Sequence, residues 1–105
     1  MKRGDVRWCK FERPDKSRPV VILTRDSIIP YIGEVTVAPV TSTIRDIPSE
    51  VLLDQRDGVA KECAINCDHL QTVAKGRIGS LLTTLSTVRM REVRAAVAFA
   101  LALNE

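Results

Sequence analysis

The sequence is poor in aromatic residues: one Trp, one Tyr and two Phe make up 4% of 105 positions. Its interior therefore has to be built from Val, Ile, Leu and Ala, and surfaces on which flat groups could stack are few. No run of about 18 apolar residues occurs, and the longest such stretch, residues 95–103, is about half a membrane span. The expectation is a soluble chain with no membrane role. Absent too is a charged region followed by an apolar run and a small-residue cleavage site, as a secretory signal requires. Three cysteines, Cys9, Cys63 and Cys67, form an odd set, which fits a reducing cytoplasm better than a disulfide framework.

A second domain has no room either. The length and the 45% apolar content suit a single compact domain over 1–105. Repeats and low-complexity linkers are missing. Cys63, Cys67 and His69, with Cys9 as a fourth ligand, could suggest zinc, but no Cys-x2-Cys pair occurs. On a strand, Cys63 and Cys67 would lie about 13 Å apart. Buried free thiols are the better account, and neither a metal nor a cofactor is expected.

What the chain does carry is positive charge. The net charge is +3 with a pI near 9.0, and residues 1–25 hold eight Lys/Arg against Asp5, Glu12 and Asp15. That local excess suits a polyanionic partner, although charge alone fits a solvated basic protein equally well.

Residues 5–11 alternate Val6 and Trp8 with charged Arg7, the pattern of a half-buried strand. Residues 12–18, broken by Pro14, read as an exposed hairpin loop. The continuous run 19–23 (Pro-Val-Val-Ile-Leu) reads as a central strand covered on both faces. Residues 31–40 read as a third strand whose end leaves the sheet, with Pro39 at an edge or strand end. The hydroxyl-rich stretch 41–48 is turn-prone. Residues 49–54 and 62–67 read as strands around the Asp57-Gly58 turn, and a sixth strand is drawn within 77–82. Ser86 is a good N-cap for a helix carrying Met90, Val93, Val97 and Leu101. Arg89 falls where a capping box prefers Glu, which is electrostatically unfavourable. From Ala95 onward the helix is apolar nearly all round, as if touched by the core on one side and another chain on the other. The fold class is mainly β with a C-terminal helix: antiparallel strands in sequence order, forming a small curved sheet or barrel.

Three segments in order, Arg3-Gly4-Asp5-Val6 with Trp8, Arg18-Pro19-Val20-Val21 and Ala38-Pro39-Val40-Thr41-Ser42, resemble the MazF/PemK toxins of type II toxin–antitoxin systems. Residues 67–73 (Cys-Asp-His-Leu-Gln-Thr-Val) and the terminal helix extend the resemblance over essentially the whole chain. The resemblance implies an SH3-like barrel of the CcdB/PemK fold and a homodimer with an RNA groove across its interface. It also implies a cognate acidic antitoxin and a metal-independent endoribonuclease acting on single-stranded RNA. It assigns catalysis to Arg18 and Thr41. The family's later segment more often carries Gln and Arg where this chain has His69 and Gln71, so base preference does not transfer.

Metal-independent cleavage would use the ribose 2′-OH as nucleophile, leaving a 2′,3′-cyclic phosphate and a 5′-OH. Arg18 could stabilise the developing charge, and Thr41 could hold an oxygen in line. A guanidinium is a poor base, so His69 beside Asp68 is a candidate for acid–base work or base reading. The bland reading is a histidine capping a loop. Arg13, Lys16, Ser17, Ser42, Thr43 and Gln71 are RNA-binding candidates. Without the resemblance, Arg18 reads as a surface ion-pair arginine and 41–43 as a self-satisfied turn. Trp8 reads as a core or interface aromatic.

Two rivals share the fold. A CcdB-like gyrase-binding toxin would need a Trp at its C-terminal end, whereas this chain ends Leu-Ala-Leu-Asn-Glu. A relative that binds RNA or antitoxin without cutting is suggested by the altered 68–72 segment. Direct DNA binding by this chain alone is not expected. An acidic antitoxin segment is expected to cross the basic groove and the apolar 95–103 run.

Overall fold

The computed structural model describes residues 1–11 and 16–105. Its strands are β1 (Asp5–Lys10), β2 (Ser17–Ile22), β3 (Glu34–Thr41), β4 (Glu50–Leu53), β5 (Cys63–Asn66), β6 (Gln71–Ala74) and β7 (Ile78–Thr84), followed by one helix, α1 (Thr87–Ala100). The expected mainly-β barrel with a terminal helix is what forms, but the strands do not lie in sequence order. The sheet runs β4-β5-β3-β2-β1-β7, with β6 added to β3.

Two strand expectations need correction. β6 was not expected, and residues 29–31 form a 3-10 turn, so the third strand begins at Glu34. Pro39 is also inside β3, opposite Val20 of β2, rather than at its end. Along its other side β3 pairs β6 through Glu34–Val37 and β5 through Val40 and Thr41. Pro39 falls in the gap where the partner changes, the one stretch in which neither neighbour asks for its missing N–H.

The expectation for 19–23 holds because both faces of β2 are covered. Val21 and Leu23 join Val6, Ala38, Ile65 and Val93 in one core cluster. Val20 and Ile22 join Cys9, Val35, Val37 and Val73 in another. Burying each such side chain is worth about 1.5–3 kcal/mol. The three thiols are free and buried, Cys9 in the second cluster and Cys63 and Cys67 in the first, so the core divides the set once weighed for zinc.

Ser86 caps α1 as expected, its Oγ accepting the Arg89 N–H at 3.2 Å. The electrostatic objection to Arg89 does not hold: its guanidinium reaches Asp57 at 2.9 and 3.2 Å and Glu92 at 2.9 Å. The helix packs Val93 and Ala96 on the core and stops without glycine. Ala102 takes a φ of +57°, and the Leu103 and Ala102 N–H groups return to the Ala98 and Phe99 carbonyls. Phe99, Leu101 and Leu103 are more than half exposed, so one side of the apolar run meets the core and the other is open. Among the described residues no helix is long and apolar enough to cross a membrane.

Candidate active groove

Antiparallel register brings the two leading residues together. Continuing the β2–β3 pairing from Val20↔Pro39 by two positions sets Arg18 level with Thr41. By that point β3 has turned to β5, where Thr41 faces Ala64. Both residues line a groove of about 700 Å³ with Trp8, Pro19, Val40 and Ser42. Its far wall is the segment after β4, contributing Gln55, Gly58, Val59, Ala60 and Lys61, while Cys63 and Leu82 complete it.

Arg18 lies in a strand rather than the expected loop, paired with Cys9. Its side chain is exposed and makes no hydrogen bond or ion pair among the described residues. A guanidinium whose donor fork meets no partner among the described residues, set against apolar walls, is arranged to receive an anion. Thr41 uses its turn chemistry and keeps a free donor: Oγ1 accepts the Thr43 N–H at 3.1 Å, which leaves the hydroxyl proton to give elsewhere.

Of the two expectations for Trp8, core or interface, the core one does not hold, and Trp8 lines the groove. It is 38% exposed and lies opposite Pro19 on the neighbouring strand, so its ring is available for stacking. Lys61 and Gln55 were missed by the sequence reading. Lys61 is a second exposed cation, and the Gln55 amide is oriented by donating from Nε2 to the Ala60 carbonyl at 3.1 Å. No motif marks them, because they reach the groove only through the 3-10 turn Gln55–Asp57 and the left-handed Gly58, φ +91°, that caps it. Burial pushes the Cys63 thiol up, with a further push from the Asp57 charge, so the one thiol in the lining stays protonated.

The remaining predicted residues divide. Ser42 lines the groove and Thr43 follows it on an exposed turn. Lys16 and Ser17 are exposed just upstream of Arg18, and Arg13 lies outside the described residues. Asp68, His69 and Gln71 do not reach the lining. Gln71 opens β6, and Asp68 and His69 sit in the turn Cys67–His69. Asp68 accepts the Ser49 hydroxyl at 2.5 Å, a contact that ties this turn to the start of β4; no bond from Asp68 orients His69 among the described residues. Asp68 also helps raise the neighbouring Cys67 thiol, which burial first of all pushes up to about 11.

A family model described as PemK-like, MazF-like toxin of type II toxin–antitoxin system matches residues 2–101. The "Probable endoribonuclease MazF5" of Mycobacterium tuberculosis is 38% identical over 92 residues, 87% of this chain and 84% of that protein. Among solved structures, "Mycobacterium tuberculosis toxin MazF-mt6" superposes with a TM-score of 0.86 at 31% identity, covering 93% of this chain and 96% of the other. "Endoribonuclease in complex with its cognate antitoxin from Mycobacterial species" superposes with a TM-score of 0.88 at 25% identity, covering 98% and 96%.

Proposed function

The chain belongs to the PemK-like, MazF-like toxins of type II toxin–antitoxin systems, and on that premise we propose that it is a cytoplasmic endoribonuclease whose chemistry occurs in the Arg18–Thr41 groove. The observation that carries this reading is the meeting, in one groove, of a guanidinium with no partner among the described residues and a hydroxyl with a free proton. Single-stranded RNA supplies what that pairing lacks: a phosphate for the fork, a 2′-OH to be held in line and bases to stack on Trp8.

In this reading the 2′-OH gives up its proton as its oxygen bonds to phosphorus, the P–O5′ bond breaks, and the leaving 5′-oxygen takes up one proton, so no net proton is gained or lost. Arg18 holds the charge that grows on the phosphorane, the contribution usually largest in such sites. Thr41 donates to a non-bridging oxygen and keeps the phosphate in line. Lys61 on the far wall adds attraction for the backbone, as Lys16 and Arg13 do upstream, and Ser42, Thr43 and Ser17 give rim hydrogen bonds. His69 and Gln71 contact the strand away from the reacting atoms.

A homodimer and an antitoxin belong to the same proposal. β7 is an edge strand with Leu81 and Leu82 exposed, a surface that a second copy would cover; Leu82 also lines the groove, so a partner there would extend it. An acidic antitoxin segment is supported by a cavity of about 850 Å³ beside the end of α1. Arg3, Arg25 and Arg94 surround Leu23, Ile28, Val97 and Leu101 there, a match for acidic residues interleaved with apolar ones.

The test is incubation with a long single-stranded RNA in EDTA, alongside Arg18→Ala, Thr41→Ala and His69→Ala, with cut sites and end groups mapped. Specific cuts ending in 5′-OH, lost in the first two variants and retained in the third, are the expected result. Intact RNA with folded wild-type protein, or full activity in Arg18→Ala, would defeat the assignment.

A further inference from the structure

The loop that begins at Thr41 is anchored at its far end by a carboxylate with no role so far. Glu50 opens β4, yet its side chain is only 1% exposed. One oxygen, Oε1, accepts the amide N–H groups of Arg45 and Asp46 at 2.9 and 3.0 Å. The other, Oε2, is the buried side-chain oxygen without a hydrogen bond among the described residues, and its nearest cation, Arg45 Nη1, stands off at 3.9 Å.

Burying a carboxylate so incompletely paired costs several kcal/mol, so stability alone is a poor reason for glutamate at this position. What the residue does accomplish is local. It gathers two successive amides of an exposed loop and fixes Asp46 in the left-handed region at φ +56°, where a non-glycine residue is strained. The loop is short: Thr43 bonds back to Thr41, and only Ile44 separates it from the clamped pair. The orientation of the Thr41 hydroxyl thus depends on a backbone held at both ends, by Thr41 itself and by Glu50.

We propose that Glu50 is a positioning residue for RNA cleavage, clamping the 45–46 backbone so that the Thr43 N–H aligns the Thr41 hydroxyl with the scissile phosphate. The inference rests on the endoribonuclease reading above. Glu50 lies outside the groove lining and acts on the chemical step through the geometry of the loop rather than by touching RNA.

The experiment compares wild type, Glu50→Ala and Glu50→Gln. Gln keeps a carbonyl oxygen that can accept both amides while removing the charge. Cleavage of a short RNA containing the mapped site gives kcat and KM, and amide exchange at Arg45 and Asp46 is followed by NMR without RNA. Glu50→Ala is expected to lower kcat by about 10- to 100-fold, the scale of a misplacement near 1 Å. KM should stay within about threefold and the two amides should exchange at least tenfold faster, because water replaces the lost acceptor. Glu50→Gln should restore both kcat and protection. Active wild type with an equally active Glu50→Ala, or Glu50→Gln no better than Ala, overturns the positioning role and leaves the endoribonuclease reading standing. Inactive wild type overturns that reading and the positioning role of Glu50 with it, while the exchange data still report whether the clamp exists.

Discussion

Replacing Gly58 by Ala puts a methyl group where the structure has no space, and the cost can be worked through. A Cβ there would lie 2.4 Å from Thr83 Oγ1 and 2.9 Å from Thr83 Cβ, on a backbone with φ of +91°. The left-handed conformation costs an L-residue about 1–2 kcal/mol. Thr83 must swing away and give up its hydrogen bond to the Asp57 carbonyl, 2.9 Å long, which is worth about 1 kcal/mol. Against this, Ala restricts the unfolded chain and returns about 0.4–1 kcal/mol. The net loss is about 1–2.6 kcal/mol, or a fall in Tm of about 5–20 °C for a domain of this size.

Urea unfolding followed by circular dichroism, at one protein concentration and with Cm compared at constant m, measures the loss. Thr83→Ala isolates the hydroxyl part of the clash, since its own Cβ keeps the 2.9 Å contact. Alone it should cost about 1 kcal/mol, and it removes the 2.4 Å contact, so the double variant should be no worse than Gly58→Ala. The coupling should therefore be about 1 kcal/mol. Simple additivity of the two substitutions would refute the account of Thr83 as the obstacle.

Arg18→Ala should leave Tm within about 2 °C, because an exposed arginine with no ion pair among the described residues contributes little to folding. Its kcat/KM should nonetheless fall about 10²- to 10³-fold, with Arg18→Lys recovering only part for want of the planar fork. A large Tm loss would show that Arg18 is structural. The Arg89 hydrogen bonds hold the Asp57 carboxyl below the usual carboxylate range. Stability from this depressed group is fully present above the unfolded Asp value of about 3.9 and is lost as pH falls through the lower folded value. Arg89→Met should accordingly unfold more easily than wild type at pH 6, by about 1 kcal/mol, with the gap narrowing towards pH 2; a constant gap would contradict the pairing. Native protein at pH 8 should react with a thiol reagent far more slowly than free cysteine does, since burial raises all three thiols, and all three should react after unfolding. Rapid labelling of Cys67 in the native state would refute its burial.

The sequence announces those parts of the molecule whose partners are local or whose burial is complete. Val20, Val21 and Ile22 form an unbroken apolar run because both faces of β2 are covered. Ser86 marks the helix start because an N-cap is a four-residue affair. β6 escapes notice because, of its four residues, only Val73 is buried, and one position carries no period. Arg89 misleads for a different reason: its neutralising partner Asp57 is 32 residues away. The site divides along the same line. Arg18 and Thr41 are legible through segments resembling a known family, whereas Gln55 and Lys61 enter only when the turn at 55–58 folds over, and Trp8 looks like core until its neighbours are placed. Asp68 and His69, adjacent in sequence, suggest a working pair, but Asp68 is committed to Ser49.

Pro39 gives the groove an unusual mechanical footing. Arg18 is referenced to the β1–β2 ladder and Thr41 to β5, and the strand that pairs with both β2 and β5 is β3. The residue at the join contributes no amide to either neighbour. The distance between the two reactive side chains is therefore set by a seam between two hydrogen-bonded halves, so a rotation of one half against the other would change the span without breaking a ladder bond in either. A ligand that straddles the seam would lock it; one confined to a single half would leave it free.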